Sequence, residues 1–155
     1  YELLKITLMS TCVPWIAEGS VPARTFSDVP AVLPIDTSSD QRLRSRVIYT
    51  GLSRGIVEGY SEGDFRPDIV VNRAEAMAML LRATGHDASD TGPAPLSFTD
   101  VPEDAWYRSA LSMAVTEGII QGYADNTFRA GDPITRAEAA KIVALLMQRN
   151  MSVQK

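Results

Sequence analysis

The feature of this sequence that most constrains its fold is an internal repeat. Four short motifs of the 155-residue chain occur twice and in the same order. Three of the four pairs share one offset, and the first pair is offset by nine residues more. Because chance does not produce four ordered matches, the chain is expected to fold as repeated units that bury apolar surface against each other. The pairs are Phe26–Pro30 with Phe98–Pro102, Gly55–Tyr60 with Gly118–Tyr123, Phe65–Arg66 with Phe128–Arg129, and Asn72–Glu75 with Thr135–Glu138.

The two copies set the expected boundaries along the chain. They predict a second repeat at 26–84, a third at 98–148, linkers at 17–25 and 85–97, and a C-terminal tail at 149–155. The nine additional residues belong to the earlier copy, in which the segment 31–40 has the proline, aspartate and serine content of a loop. We therefore expect a protruding, mobile loop there, which folding does not require.

The first half of each copy predicts a helix that ends at a glycine. Apolar residues recur near helical spacing over residues 41–54 and again over 104–117. Gly55 and Gly118 follow, at the position where a helix end often requires a positive φ. In the earlier copy the side chains expected to point inward are Leu43, Val47, Ile48 and Leu52.

The second half of each copy predicts another helix, which begins with a capping box. In such a box, a polar cap residue and a glutamate three positions later each satisfy a backbone amide of the other. Asn72 with Glu75 and Thr135 with Glu138 fit this pattern, and good helix formers follow both. Strand signals are weak. The sequence therefore predicts an all-α fold of helix-loop-helix units, with short pairings at most around the loops.

A partial copy is predicted at the start of the sequence. Residues 1–6 line up with residues 137–142, matching at glutamate, lysine and isoleucine, and an apolar helical run follows both. Residues 1–16 are therefore expected to be the second helix of a first repeat whose own first helix and loop lie outside these 155 residues. Either a separate polypeptide covers the apolar side chains of this helix, or the chain has been shortened. Those side chains are Leu3, Leu4, Ile6, Leu8 and Met9.

Composition argues against several classes of protein. The formal net charge of −4 is unfavourable for nucleic acid binding, which usually requires a basic patch. Cys12 and His86 are the only cysteine and histidine, so neither an internal disulfide nor a multi-thiolate zinc site can form. No stretch reaches the roughly 18 apolar residues that cross a bilayer. Residues 8–12 loosely resemble a lipoprotein signal ending in cysteine, but polar residues interrupt the apolar run before it.

The motifs also argue against catalysis and calcium binding. The sequence has no serine elbow and no phosphate-cradling glycine loop, and its carboxylates recur as parts of the repeat. The sequence alone does not exclude a glycosidase-type pair of catalytic carboxylates among Asp28, Asp100, Glu75 and Glu138. An EF-hand needs oxygen ligands at alternate positions after its first aspartate, where Asp125 is followed by Thr127 and then Arg129. We therefore predict a non-catalytic protein without metal or cofactor.

Four charged residues are candidates for ligand binding. Arg73 and Arg136 follow the cap residue of a helix, where free amides and the helix dipole already favour an anion. A guanidinium adds a planar fork suited to a carboxylate, but each arginine could instead pair with an acidic side chain. Asp28 and Asp100 either accept hydrogen bonds from sugar hydroxyls or cap the turn ahead of the following helix.

The remaining candidates are aromatic residues and glycines. Trp106 either offers its ring face to a sugar or belongs to the core, on the inward stripe of its helix. Leu43 stands at the corresponding place in the earlier copy, so a groove that depends on the tryptophan would be weakened there. Each loop also has a glycine, which allows the backbone to turn and would allow a ligand to approach closely. A tyrosine follows each glycine and is expected to be mainly a half-buried anchor of the loop and secondarily a ligand contact. These are Gly59 with Tyr60, and Gly122 with Tyr123.

Together these motifs resemble the S-layer-homology family. The resemblance rests on Phe-x-Asp-Val-Pro, Trp106, Gly-Ile-Ile-x-Gly-Tyr, residues 125–129 and residues 134–138. It covers the final copy from residue 98 to about 147 and the middle copy over residues 26–83. It implies an all-α module in which three repeats pack as a pseudo-threefold prism, here with an incomplete first repeat.

The resemblance also implies a function at the bacterial cell surface. Modules of this family hold a secondary cell-wall polymer, often ending in a pyruvylated amino sugar, in grooves between repeats, and so anchor proteins to the wall or outer membrane. The alternative is an assembly module that holds protein partners of a surface layer or envelope complex instead of glycan. The ligand-binding residues that the resemblance implies are Arg73, Arg136, Asp28, Asp100, Trp106, Gly59, Gly122, Tyr60 and Tyr123.

Overall fold

The described residues contain four α-helices. The computed structural model describes residues 23–31, 38–86 and 95–153, with side chains up to residue 149. Within those residues no strand forms, and extended segments pair only at the isolated bridges Phe26–Val29 and Asn72–Pro133. The predicted all-α fold class is confirmed, whereas the predicted helix at residues 1–16 lies outside the described residues. The helices are α1 (Ser39–Ser53), α2 (Arg73–Ala83), α3 (Arg108–Thr116) and α4 (Arg136–Val153).

The chain divides into two compact units between Ile69 and Val70. The division falls inside the predicted second repeat, so that α1 and the loop after it belong to the first unit and α2 to the second. The second unit also contains α3 and α4, the two helices of the third repeat. The second helix of one repeat therefore shares a unit with the whole of the next repeat.

Helices α1 and α3 end as the glycines predict. Gly55 has a φ of 67° and Gly118 a φ of 69°, in the left-handed region that glycine adopts without a Cβ clash. The residue after each glycine donates its N–H to a carbonyl in the last helical turn, at 2.9 Å for Ile56 and 2.8 Å for Ile119. This is the Schellman arrangement, which satisfies carbonyls that the helix end would leave unpaired.

Both capping boxes form. Asn72 accepts from the N–H of Glu75 at 2.9 Å, and the Glu75 carboxylate accepts from the N–H of Asn72 at 3.0 Å. The second box has the corresponding distances of 3.2 and 2.9 Å between Thr135 and Glu138. Helix α4 then continues to Val153, into the segment predicted to be a C-terminal tail. Because the boxes are local, they could be recognised from sequence spacing alone.

Helix α1 begins two residues before the predicted start. Ser38 caps it by accepting the N–H of Gln41 at 3.4 Å, so Ser39 and Asp40 are helical rather than part of the predicted loop. Residues 32–37 of that loop lie outside the described residues. Of the four side chains expected to point inward from α1, two are fully buried, Val47 and Ile48, and two are half-buried, Leu43 and Leu52.

The first unit is built around an aromatic contact between its first motif and α1. The rings of Phe26 and Tyr49 stack with centroids 5.9 Å apart, and Phe65 lies 5.4 Å from Phe26 on another side. The Tyr49 hydroxyl accepts from the N–H of Phe26 at 3.2 Å and donates to the carbonyl of Val29. A buried tyrosine usually finds such partners, and here they fix the Phe-x-Asp-Val segment against α1.

The second unit has a core enclosed by α2, α3 and α4. Phe128 is fully buried within it, and its ring contacts Phe98 and Tyr107 at centroid distances of 6.0 and 5.9 Å. Burying each such aliphatic or aromatic side chain contributes about 1.5–3 kcal/mol, so this cluster dominates the stability of the unit. Its helical members are Ala74, Met77, Leu80, Leu81, Leu111, Met113, Ala114, Ile142 and Leu146.

Helix α3 is shorter than the predicted helix at 104–117. It begins at Arg108, and the preceding residues form turns closed by the N–H groups of Ala105 and Arg108, which donate to Pro102 and Ala105 at 3.3 and 2.9 Å. Trp106 lies in these turns and is 63% exposed. The alternative that Trp106 is a core residue on the inward stripe of the helix is therefore wrong.

Candidate functional site

An aspartate in each repeat closes the loop of that repeat. Asp100 accepts from the N–H of Phe128 at 2.8 Å and from the N–H of Arg129 at 2.7 Å, one bond to each carboxylate oxygen. Asp28 makes the same two bonds in the other repeat, at 2.8 and 2.6 Å. Both aspartates thus bind the backbone of a loop that is distant in sequence.

These bonds keep Asp28 ionised. Desolvation raises the pKa of the Asp28 carboxyl, but the backbone N–H groups of Phe65, Arg66 and Asp28 itself, with the charge of Arg66, together outweigh it. The net result is a pKa below the usual value of 3.8. At neutral pH the carboxylate is therefore in the form that accepts both backbone bonds.

An arginine in each loop adopts a left-handed backbone conformation. Arg66 and Arg129 have φ values of 54° and 57°, a conformation that costs a residue with a side chain on the order of 1–2 kcal/mol. Each guanidinium lies over a tyrosine of its own loop, 4.2 Å from the Tyr60 centroid and 4.3 Å from that of Tyr123. The N–H bonds to the aspartate and these cation–π contacts offset the strain.

The Asp125 carboxylate belongs to the same loop network. It accepts from the Thr127 hydroxyl at 2.6 Å and from the Arg129 guanidinium at 2.8 Å. These two bonds, led by that of Thr127, lower the pKa of Asp125 to about 2. Among the described residues, no group of three or more histidine, cysteine, aspartate or glutamate side chains could hold a metal ion.

Gly59 and Gly122 make room for a phenylalanine ring of the first motif. A Cβ built on Gly122 would lie 2.1 Å from Cε1 of Phe98 and 2.8 Å from the carbonyl oxygen of Thr127. At Gly59 the corresponding distance to Cε1 of Phe26 is 2.3 Å. These distances leave no space for a side chain, so the close approach at both glycines is made by the protein's own ring.

Arg73 joins the second helix of the middle repeat to the third repeat. Its guanidinium donates to the Glu138 carboxylate at 2.8 Å and to the carbonyl of Gln121 at 3.1 Å. The side chain is only 8% exposed, and the rings of Tyr123 and Phe128 both have centroids 5.2 Å from its guanidinium carbon. Of the two roles that the sequence left open for this arginine, the structure shows the ion pair.

Glu138 is the centre of this junction. One carboxylate oxygen accepts from Arg73 and from the Tyr123 hydroxyl at 2.9 Å, while the other caps α4 at Thr135. The backbone N–H of Thr135 is the largest cause that lowers the pKa of Glu138, and the Tyr123 and Arg73 bonds add to it. The bond to Glu138 in turn raises the pKa of Tyr123. Tyr123 therefore stays a hydrogen-bond donor at neutral pH.

Arg136 occupies the position in α4 that Arg73 occupies in α2, but its surroundings differ. Its side chain is exposed, and within the described part of the chain it has no ion pair or hydrogen bond. Its guanidinium is therefore open to a ligand as the structure stands, whereas that of Arg73 is engaged.

Trp106 also faces solvent. Its ring meets that of Tyr107 edge-on with centroids 5.5 Å apart, and this contact holds it at the start of α3. At the equivalent place of the middle repeat, Leu43 lies on α1 and is half-buried. The two repeats thus differ here in backbone conformation as well as in side chain.

Two contributors to the junction were not among the predicted site residues. Glu138 was recognised as a helix cap, and Gln121 contributes only its backbone carbonyl. The contact between Arg73 and Glu138 spans 65 positions of sequence. No spacing rule covers such a distance, and the only signal was the recurrence of the Arg-Ala-Glu motif itself.

Two helix-loop-helix repeats, each with a loop closed by an aspartate, define a tandem-repeat domain. No helix in the described ranges is long and apolar enough to cross a membrane. The sequence profile described as "S-layer homology domain" matches residues 44–77 and 97–140, half of the chain. The chain therefore belongs to the S-layer-homology family and is a protein of the bacterial cell envelope.

The curated relatives are much longer proteins, of which this chain spans less than a quarter. The chain is 35% identical over 139 residues to the surface-layer 125 kDa protein of Lysinibacillus sphaericus, which covers 90% of the chain and 11% of that protein. It is 29% identical to the cellulosome-anchoring protein of Acetivibrio thermocellus, over 64% of the chain and 23% of the relative. An amylopullulanase of Thermoanaerobacterium thermosulfurigenes is 39% identical over 62% of the chain, and only 5% of that enzyme is matched.

Proposed function

We propose that this chain is a non-catalytic module that anchors a larger protein to a polysaccharide of the bacterial cell wall. Membership of the S-layer-homology family carries the proposal. The relatives support it, because one is a cellulosome-anchoring protein and another a surface-layer protein. The amylopullulanase fits as well, since the matched 5% leaves ample room for a catalytic domain elsewhere in that enzyme.

The ligand that we propose is an anionic secondary cell-wall polymer, such as one ending in a pyruvylated sugar. Arg136 supports this choice because its exposed guanidinium lies at the first residue of α4, where the backbone amides and helix dipole also favour an anion. Exposed Trp106 can present a ring face to a sugar. The other proposed contacts are Asp28, Asp100, Tyr60 and Tyr123, together with the backbone of Gly59 and Gly122, since phenylalanine rings fill the space at the Cβ positions of both glycines.

Arg73 needs a different account as a ligand-binding residue. Its guanidinium is buried and already shared between Glu138 and the carbonyl of Gln121. A ligand carboxylate could replace Glu138 only by exposing that side chain to water. We therefore propose that Arg73 shapes the junction in the resting protein and contacts the polymer only if the ion pair opens.

Arg136→Ala is expected to weaken binding to purified wall polymer more than tenfold. The loss of one charge-assisted bidentate contact costs about 1.5–3 kcal/mol, which corresponds to that factor. Thermal stability should change little, because Arg136 is exposed and has no partner in the described structure. Isothermal titration with solubilised polymer, before and after mild acid removal of pyruvate, measures both the affinity and the chemistry recognised.

Lys141→Ala is the matched control, since it removes one positive charge from an exposed position of the same helix. It should bind within about twofold of the wild type if geometry rather than net charge is recognised. Arg136→Lys should recover only part of the affinity, because an ammonium lacks the planar fork. Equal binding by the wild type and Arg136→Ala would remove Arg136 from the site.

The alternative proposal is an assembly module that holds protein partners. It is favoured by a difference between the two repeats, because three residues of α2 lie in the core of the second unit and their equivalents in α4 are exposed. Pulldown on purified polymer, set against pulldown on wall-stripped surface protein, separates the two proposals. The buried residues are Ala74, Met77 and Leu81, and their equivalents are Ala137, Ala140 and Ala144.

The same exposed face supports the proposed pseudo-threefold prism. In a closed prism α4 would contact the first repeat as α2 contacts the third, and a second polypeptide that covers the same exposed face is the other arrangement that we propose. We expect size-exclusion chromatography with light scattering and mass spectrometry to find a co-purifying polypeptide. A monodisperse 16.9 kDa monomer that binds no hydrophobic dye would contradict the second polypeptide.

A further inference from the structure

We propose that His86 is a pH-sensitive clamp that joins the ends of three helices in the second unit. His86 lies just after α2, and its side chain is 17% exposed. Its Nδ1 is 2.9 Å from the Thr84 hydroxyl, and its Nε2 is 3.6 Å from the carboxylate of Glu117, the residue that ends α3. Arg149 of α4 reaches the same carboxylate oxygen at 3.2 Å. One imidazole is therefore placed among residues from all three helices.

The bond to Thr84 decides which ring nitrogen gains the proton. The Thr84 hydroxyl has one hydrogen, and it lies 3.0 Å from the carbonyl oxygens of both Leu80 and Leu81. If the hydroxyl donates to one of these carbonyls, it accepts from His86, and the hydrogen of the neutral ring is on Nδ1. In the neutral ring Nε2 is left with a lone pair that faces the Glu117 carboxylate.

Glu117 provides the carboxylate that the protonated ring would contact. Its Oε2 atom is buried and has no partner that meets hydrogen-bond geometry, although His86 and Arg149 are both close to it. Protonation of His86 places an N–H on Nε2, 3.6 Å from this buried oxygen, and turns a repulsive contact into an ion pair. Arg149 contacts the same oxygen at 3.2 Å, so the protonated ring and the guanidinium share the Glu117 carboxylate.

The consequence is a module that tightens in mildly acidic surroundings. Imidazoles change charge between about pH 5 and 8, whereas the carboxylates of Asp28, Asp125 and Glu138, with lowered pKa values, stay ionised across that range. As the pH falls through that range, the ion pair between His86 and Glu117 forms in the folded protein, whereas the unfolded chain does not form it. As the pH rises, the contribution of the clamp is lost.

Nuclear magnetic resonance of ¹⁵N-labelled protein tests the tautomer directly. His86 is the only histidine of the 155-residue chain, so its ring signals need no assignment. We expect the neutral ring to carry its hydrogen on Nδ1 and Nε2 to be the nitrogen that gains a proton. A neutral ring protonated on Nε2 would overturn the clamp whatever the variants do.

Urea unfolding at pH 5.5 and 7.5 tests the energetics. For the wild type, the unfolding equilibrium constant should be about two- to fivefold larger at pH 7.5 than at pH 5.5, the effect of one partly exposed ion pair. His86→Asn and Glu117→Gln should both lose this difference, and Glu103→Gln, at an exposed turn residue, should keep it. A wild type that is equally stable at both pH values, or a His86→Asn variant that keeps the difference, would overturn the proposal.

Discussion

Gly122→Ala is expected to destabilise the second unit by at least about 3 kcal/mol, at the upper end of the usual cost of overpacking. The added methyl group would lie 2.1 Å from the Phe98 ring and 2.8 Å from the carbonyl oxygen of Thr127. The ring can yield only by leaving Phe128, and the carbonyl is fixed because it accepts the N–H of Tyr123 at 2.9 Å. The urea midpoint, followed by circular dichroism, measures the loss.

Gly131→Ala is the matched control, because no atom lies within 4 Å of its Cβ position and its φ is not positive. It should change the unfolding free energy by less than about 0.5 kcal/mol. Phe98→Ala introduced into Gly122→Ala should cost less than the sum of the two single changes, since it removes the clashing ring. Similar midpoints for the two alanine variants would show that the loop absorbs the methyl group.

The parts of this fold that could be predicted from the sequence are those set by local geometry. The capping boxes at Asn72 and Thr135 need only the backbone of one helical turn, and the glycine ends at Gly55 and Gly118 need only a left-handed residue after the last turn. The predicted start of α3 was one helical turn too early, because Trp106 fits a helical pattern whereas the chain before Arg108 forms turns. Apolar spacing alone does not distinguish these conformations.

The contacts of the candidate site were less predictable because they are distant in sequence. Asp100 accepts hydrogen bonds from loop N–H groups 28 and 29 positions away in sequence, and Arg73 donates to Glu138, which is 65 positions away. Repeat symmetry gave the same expectation for Arg73 and Arg136, yet one is buried in an ion pair and the other exposed. The difference arises from what packs against each helix, which the sequence of the helix itself does not contain.

Glu138→Ala is expected to cost about 2–4 kcal/mol, because it leaves the buried guanidinium of Arg73 without its anion and α4 without half of its capping box. Removing one partner of a fully buried pair costs about 3–5 kcal/mol, and the lower range here reflects the 28% exposure of the Glu138 side chain. Thr135→Ala, which affects the cap alone, should cost about 1 kcal/mol. Equal losses for these two variants would mean that the ion pair contributes nothing.

Glu138→Gln isolates the charge, since a glutamine at this position can still cap the helix and accept a hydrogen bond. The pKa of Glu138 is lowered in the folded state, so its ionised form stabilises the protein fully above the unfolded value near 4.5 and less as the pH falls through the folded value. The difference in unfolding free energy between the wild type and Glu138→Gln should therefore be constant from pH 7 to 5.5 and shrink on further acidification.

In a double-mutant cycle with Arg73→Met, the Arg73–Glu138 pair should show a coupling of about 1–3 kcal/mol at pH 7 that also shrinks in acid. A coupling that is independent of pH would assign the junction to packing rather than to the ion pair.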